Sequence, residues 1–167
     1  MGLFDKLFGK NETEQLPEIA DDAITALGNG ELIDVTTVSD DMFAQQVMGK
    51  TVAFKLNDKT VVSPVNGIVE VAFETGHAFA VRMKDGTGIL VHIGVDTVSL
   101  NGKGFKMLAK VGQTVKAGQP MVEVNWSTVK SAGLDTSTML IITEPVEGKE
   151  YNFIDPQTVT DYQQINK

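Results

Sequence analysis

His77 and His92 are the only two histidines of the chain, and they flank a single Asp-Gly pair in the stretch "TGHAFAVRMKDGTGILVHIGVD". Asp-Gly between two apolar runs signals a two-residue hairpin turn at Asp85 and Gly86, a register that sets His77 opposite Gly94 and His92 opposite Phe79. Paired residues share a sheet face with the positions two along, so the imidazoles become diagonal neighbours, roughly 7–8 Å apart at Cα. A three-residue loop would instead send them to opposite faces. Phe79, Val81, Met83 and Leu90 share the expected face, and Gly94 leaves open space opposite His77. One imidazole in an apolar setting is ordinarily a core residue. Two that meet would each need a buried polar partner, which favours a functional pair.

Three chemistries suit paired imidazoles. A metal site needs third and fourth ligands; Asp96 follows His92 by four residues, but the chain has no other histidine and no cysteine. Acyl transfer needs an activated hydroxyl beside a histidine and an oriented acid; Thr75 and Asp96 are present, without a nucleophile-elbow motif. Phosphoryl transfer to a histidine nitrogen needs one neutral imidazole with a free lone pair, its other nitrogen held as an N–H donor. A second imidazole can then bind the arriving phosphoryl oxygens.

The elements that must position these groups read as strands. "ELIDVTTV", "TVAFKL", "TVVSPVNGIVEVAF", "HAFAVRM", "GILVHIGV", "TVKAGQPMVEVN" and "TMLIIT" are short runs rich in Val, Ile, Phe and Thr. Turn residues punctuate them, among them "GNG" at 28–30, Asn66-Gly67, Asp85-Gly86 and Gly118. Two short segments read as helices: "GFKMLAK" (104–110), and "WSTVKSA" behind an Asn125 N-cap and ending at Gly133. Many closely spaced strands predict an all-β protein, an antiparallel sandwich or barrel with one or two short helices. The phrases "VNGIVEV" and "AGQPMVEV" share a Gly-led form that hints at internal symmetry.

The N-terminal "MGLFDKLFGK" places Leu3, Phe4, Leu7 and Phe8 on one helical face, a patch suited to weak membrane or partner contact through residues 1–10. Polar "NETEQLPE" follows as a linker, so the expected division is a tail at 1–18 and one domain at 19–167. A length of 167 residues suffices for one sizeable core. No apolar run approaches the roughly 20 residues of a membrane span, and no secretory pattern opens the chain. The cytoplasm is the expected compartment. A formal charge of −8 without a Lys/Arg stripe argues against nucleic acid as a partner. It favours a basic protein instead.

At these residues the sequence resembles the glucose-family enzyme IIA proteins of the bacterial phosphoenolpyruvate-dependent sugar phosphotransferase system. The matching phrases are "SPVNGIVEVAFETGHAFAV" (63–81), "ILVHIGVDTVSLNGKGF" (89–105), "GQTVKAGQPMVEV" (112–124) and "TMLIIT" (138–143). The opening tail also resembles that of some free-standing members. The resemblance implies an antiparallel β-sandwich of the duplicated hybrid motif type and a phosphotransferase that works through phosphohistidine. His77 would be the phosphoacceptor, receiving its phosphoryl group from the histidine-containing phosphocarrier protein and passing it to a cysteine of an enzyme IIB domain. His92 would bind the phosphoryl group, and Thr75 would orient the site. Docking would use Met42, Phe43, Val47, Met48, Phe73, Leu90 and Val98, with an acidic rim at Asp40 and Asp96. Leu90 stands where phenylalanine is common in the family. A shuttle that presents one face to successive partners suits a monomer, and no cofactor is implied.

Other readings compete. Regulatory binding would use the same patch in its unphosphorylated form to hold permeases or metabolic enzymes, released by the added charge. A biotinyl or lipoyl carrier fits "VGQTVKAGQPMVEV" but lacks a lysine at the corresponding "SPVNG" turn. A zinc hydrolase lacks a third histidine and a general base, although a partner's carboxylate could complete a zinc ion shared by His77 and His92 in a complex.

Overall fold

The computed structural model describes residues 16–167; the amphipathic segment at 1–10 and the start of the linker lie outside the described residues. Burial begins at Ala23 and is continuous through Leu27. Eleven strands follow: β1 (Gly30–Ile33), β2 (Lys50–Leu56), β3 (Thr60–Val62), β4 (Gly67–Ala72), β5 (Ala78–Met83), β6 (Gly88–Ile93), β7 (Phe105–Met107), β8 (Thr114–Val115), β9 (Pro120–Val124), β10 (Thr138–Glu144) and β11 (Gln157–Val159). They form an eight-stranded sheet in the order β11-β1-β2-β10-β6-β5-β4-β8 and a three-stranded sheet in the order β3-β9-β7. Every strand pairing is antiparallel. The main core fills the space between the sheets, with Phe54, Phe79, Ile89 and Leu140 from the large one meeting Val61, Met121, Val122 and Val124 from the small one. The molecule is an all-β antiparallel sandwich, as the strand-rich sequence predicts.

A second cluster covers the outer face of β2, β6 and β10. It contains Val38, Phe43, Ala53, Val95, Met139 and Ile141, with Met48 and Leu90 packed against it. Strand β10 therefore sends Leu140 and Ile142 inward and Met139 and Ile141 outward. Its near-continuous apolar run follows from being covered on both faces.

Only two α-helical segments occur among the described residues, α1 (Asp41–Ala44) and α2 (Trp126–Ser131). The second matches the expected helix, with the Asn125 side chain accepting from the Thr128 N–H. The helix expected at 104–110 is instead β7 followed by irregular chain. There Phe105, Lys106 and Met107 pair with Val124, Glu123 and Val122, so alternation along a free sheet edge prevails over helical propensity. Helix α1 and strand β11 are not foreseen by the sequence patterns.

The hairpin that carries the histidines also departs from expectation. Ala78 pairs with His92 and Phe79 with Val91, one residue away from the register a two-residue turn would set. The loop is Lys84, Asp85 and Gly86, closed by the Gly86 N–H on the Met83 carbonyl and the Met83 N–H on the Thr87 carbonyl. Gly86 takes the left-handed backbone (φ 101°) that ends such a three-residue loop. Asp85 serves the turn by accepting from the Thr87 N–H at 2.9 Å, and it pairs with Lys149 from the C-terminal segment.

Candidate functional site

In this register Phe79, Val81 and Met83 face the main core, while His92 and Leu90 face the outer cluster alongside Met139 and Ile141. Alternation alone would then separate the two imidazoles. They meet because His77 lies outside the ladder, one residue before β5 begins. Gly76 at φ 75° turns the chain there, and a Cβ on it would stand 2.6 Å from the Cβ of Phe105. The His77 carbonyl still accepts from the Ile93 N–H at 2.7 Å, anchoring the backbone while the ring leaves the strand pattern. The ring centroids of His77 and His92 lie 5.4 Å apart, edge to face at 74°. Gly94 is not open space either: its would-be Cβ meets the Thr97 methyl at 2.5 Å.

Each ring has its Nδ1 engaged by the chain. Nδ1 of His77 is 2.6 Å from the Thr75 hydroxyl. Nδ1 of His92 is 2.8 Å from the Gly94 carbonyl, which only accepts, so this nitrogen carries the proton. Phe73 packs on His77 with centroids 4.9 Å apart, and Phe43 packs on His92 at 5.0 Å. Burial lowers the pKa of His77 below 6.5, and the neighbouring His92 lowers it further. Burial also lowers that of His92, against the opposing pull of the Gly94 carbonyl, Asp40 and Asp96. Both rings are therefore neutral at pH 7, with Nε2 available.

The expected docking residues divide by exposure. Met42, Val47, Phe73 and Val98 stand 45–63 % exposed, whereas Met48 and Leu90 are partly buried against the outer cluster. Phe43, expected on the docking face, is only 7 % exposed and instead covers His92. Helix α1 arranges this: Asp40 caps it by accepting from the Met42 N–H at 2.8 Å, turning Met42 out and Phe43 in. A cap residue directly before "DMFA" is the sequence signal for this turn, though four residues give no periodicity to detect. Asp96 is exposed and sits in the left-handed region at φ 61°, opening the 3-10 turn Thr97–Leu100.

Among the described residues no three His, Cys, Asp or Glu side chains converge as a metal site. The pair offers two donors against the four that zinc takes, so a resident zinc does not fit these residues alone. A groove of about 880 Å³ lies elsewhere, lined by Leu16, Ile19, Lys116, Pro120 and Tyr162 among others and by neither histidine. His77 is 7 % exposed and His92 half-buried, so the imidazole pair lies just beneath the surface, flanked by exposed apolar side chains, a form that suits a macromolecular partner better than an enclosed small ligand.

Comparison with known proteins agrees with the geometry. Residues 22–147 match the family described as phosphoenolpyruvate-dependent sugar phosphotransferase system, EIIA 1. The glucose-specific EIIA component of Haemophilus influenzae is 37 % identical over 142 residues, covering 85 % of this chain and 83 % of that protein. That of Staphylococcus aureus is 35 % identical over 157 residues, covering 94 % and 92 %. The glucose-specific EIICBA component of Staphylococcus carnosus is 34 % identical over 135 residues, which are 81 % of this chain but 20 % of that longer protein. Among solved structures, the glucose permease IIA of Mycoplasma capricolum superposes with a TM-score of 0.81 at 30 % identity, covering 86 % of this chain and 93 % of the other. With a family match across most of its length and relatives above 30 % identity over nearly the whole of it, this chain belongs to the enzyme IIA family of the phosphoenolpyruvate-dependent sugar phosphotransferase system.

Proposed function

We propose that His77 accepts a phosphoryl group on Nε2 from the histidine-containing phosphocarrier protein and passes it to a cysteine thiolate of an enzyme IIB domain during sugar uptake. The observation that carries this reading is the pair of tethered Nδ1 atoms, which leaves the two Nε2 atoms as the free nitrogens of adjacent rings. In the accepting step the Nε2 lone pair attacks phosphorus, and an N–P bond forms as the donor's N–P bond breaks. The proton on Nδ1 stays in place, its N–H donating to the Thr75 hydroxyl. In the donating step a P–S bond forms and the electron pair returns to Nε2.

His92 binds the phosphoryl oxygens rather than carrying the group. The arriving charge of about −2 favours an imidazolium beside it, so His92 gains a proton as His77 becomes phosphorylated. Its Nδ1 already donates to the Gly94 carbonyl, so the added proton goes to Nε2, which then donates to a phosphoryl oxygen. Met42, Val47, Phe73 and Val98 receive the partner proteins, Asp40 and Asp96 meet a partner's basic side chain, and no resident cofactor takes part. Once a partner docks on the apolar side chains, water is excluded from the labile N–P bond.

Incubation with phosphoenolpyruvate, enzyme I and the phosphocarrier adds one acid-labile phosphate per chain. His77→Ala abolishes it, and full labelling of that variant overturns the assignment. His92→Gln still accepts phosphate but fails to deliver it; undiminished delivery removes His92 from the mechanism.

A further inference from the structure

Asp135, in the irregular segment between α2 and β10, ties together the two stretches of chain that hold His92. Its Oδ2 accepts from the Ser39 N–H at 3.1 Å. Its Oδ1 accepts from the Ser137 N–H at 2.8 Å, the Ser137 hydroxyl at 2.7 Å and the Lys55 ammonium at 2.9 Å. Its backbone carbonyl accepts from the Val95 N–H at 2.9 Å. Ser39 directly precedes Asp40, the cap of the helix that lays Phe43 on His92. Val95 directly follows Gly94, whose carbonyl holds the His92 Nδ1. The side chain is 16 % exposed. Although burial pushes its pKa up, the Ser137 N–H, Lys55, the Ser137 hydroxyl and the Ser39 N–H together hold it well below the usual carboxylate range.

We infer that Asp135 is a positioning residue for phosphoryl delivery, fixing the spacing between the Asp40–Phe43 turn and the Gly94–Asp96 turn so that His92 keeps its ring orientation. It touches neither reacting nitrogen. Both stretches reach His92 independently, one through an aromatic ring and the other through a carbonyl. One residue that bonds to each sets the slot in which the imidazole sits. Lys55 neutralises the carboxylate locally, so the charge field on His92 comes from Asp40 and Asp96, the two acids that raise its pKa. The inference rests on the transfer role given above to His92, but its structural half stands without it.

The discriminating variant is Asp135→Asn in the full chain. Asparagine keeps an acceptor for Ser137 and Lys55 but sets an amide NH₂ against the Ser39 N–H, releasing one tether. Ser39→Pro removes the same hydrogen bond from its other end, and Val38 at ψ 138° is a backbone that a following proline accepts. The first readout is the nitrogen-15 titration of both imidazoles without phosphate. In each variant the His92 curve and its Nδ1 shift move most, and the His77 curve follows only by the smaller amount that the neighbouring ring's charge imposes on it. The second is phosphoryl flow: acceptance at His77 is unchanged, and delivery to the IIB cysteine slows by roughly tenfold, the scale of a sub-ångström misplacement. His92 signals identical to wild type in both variants overturn the inference, as do equal changes at both rings, which would indicate general loosening. A wild-type protein that takes no phosphate contradicts the proposed function instead, and the imidazole titration still decides the positioning role.

Discussion

The Gly94 carbonyl fixes the His92 proton on Nδ1, and in the proposed mechanism the Thr75 hydroxyl accepts from the His77 Nδ1–H, so that Nε2 of each ring is left free. A Thr75→Val change keeps the shape but frees the His77 Nδ1, so the ring no longer favours the tautomer with its lone pair on Nε2. Losing a hydrogen bond of about 1 kcal/mol slows phosphoryl acceptance by roughly fivefold, read as a burst rate with the phosphocarrier in excess. The pH dependence follows from the lowered pKa of both rings. Between the folded and unfolded values the unfolded chain binds more protons, so this contribution to stability is complete above about pH 6.5. It is lost as pH falls through the folded values. A His77→Gln/His92→Gln double variant therefore loses less stability than wild type between pH 7 and pH 5, measured by urea unfolding. A wild-type curve parallel to the variant's would show the rings to be unperturbed.

At the scale of elements, the turn before β5 is the critical piece. Gly76→Ala forces a side chain into the left-handed region and against Phe105 at 2.6 Å. The strain is about 1–3 kcal/mol, and the turn relaxes by moving His77, so thermal stability and phosphate acceptance fall together. Asn125→Ala, which removes the α2 cap, costs about 1 kcal/mol of stability and leaves transfer unchanged, separating the two effects. This same turn shows what the sequence reveals and what it conceals. The strands, the α2 cap and the presence of a hairpin between the two histidines are legible from β-branched runs, one Asn and one Asp-Gly, but the register that would have brought the rings together is not the one that forms. The reason the rings meet is not legible. Asp-Gly serves a three-residue loop as well as a two-residue one, and nothing in "ETGH" shows that His77 stands outside the ladder. Phe43 reads as a docking residue because apolar character does not distinguish an outward from an inward ring on a four-residue helix. Asp135 has no pattern at all, since its four donors come from residues 39, 55 and 137.

The whole molecule pairs a rigid two-layer sandwich with a shallow apolar site on an acidic chain of net charge −8. Arg82 helps stiffen the sheet, bonding Glu70 on β4 and Glu144 on β10 from its place on β5. The charge predicts that association with a basic phosphocarrier surface is steered electrostatically. Its association rate falls several-fold between low and physiological salt while dissociation changes little, measurable by stopped flow. A salt-independent association rate would leave docking to the apolar side chains alone. On the regulatory reading, exposed Met42, Val47, Phe73 and Val98 would be the surface that a partner holds and that a phosphate at His77 disrupts, and pull-downs with wild type and His77→Asp test it: identical partner sets count against it. The central claim is tested most directly by phosphorus and nitrogen NMR on the protein phosphorylated through the reconstituted relay. The account predicts one phosphorus nucleus coupled to Nε2 of His77, with Nδ1 still protonated and His92 newly charged. Coupling to His92, or to Nδ1 of either ring, would contradict it.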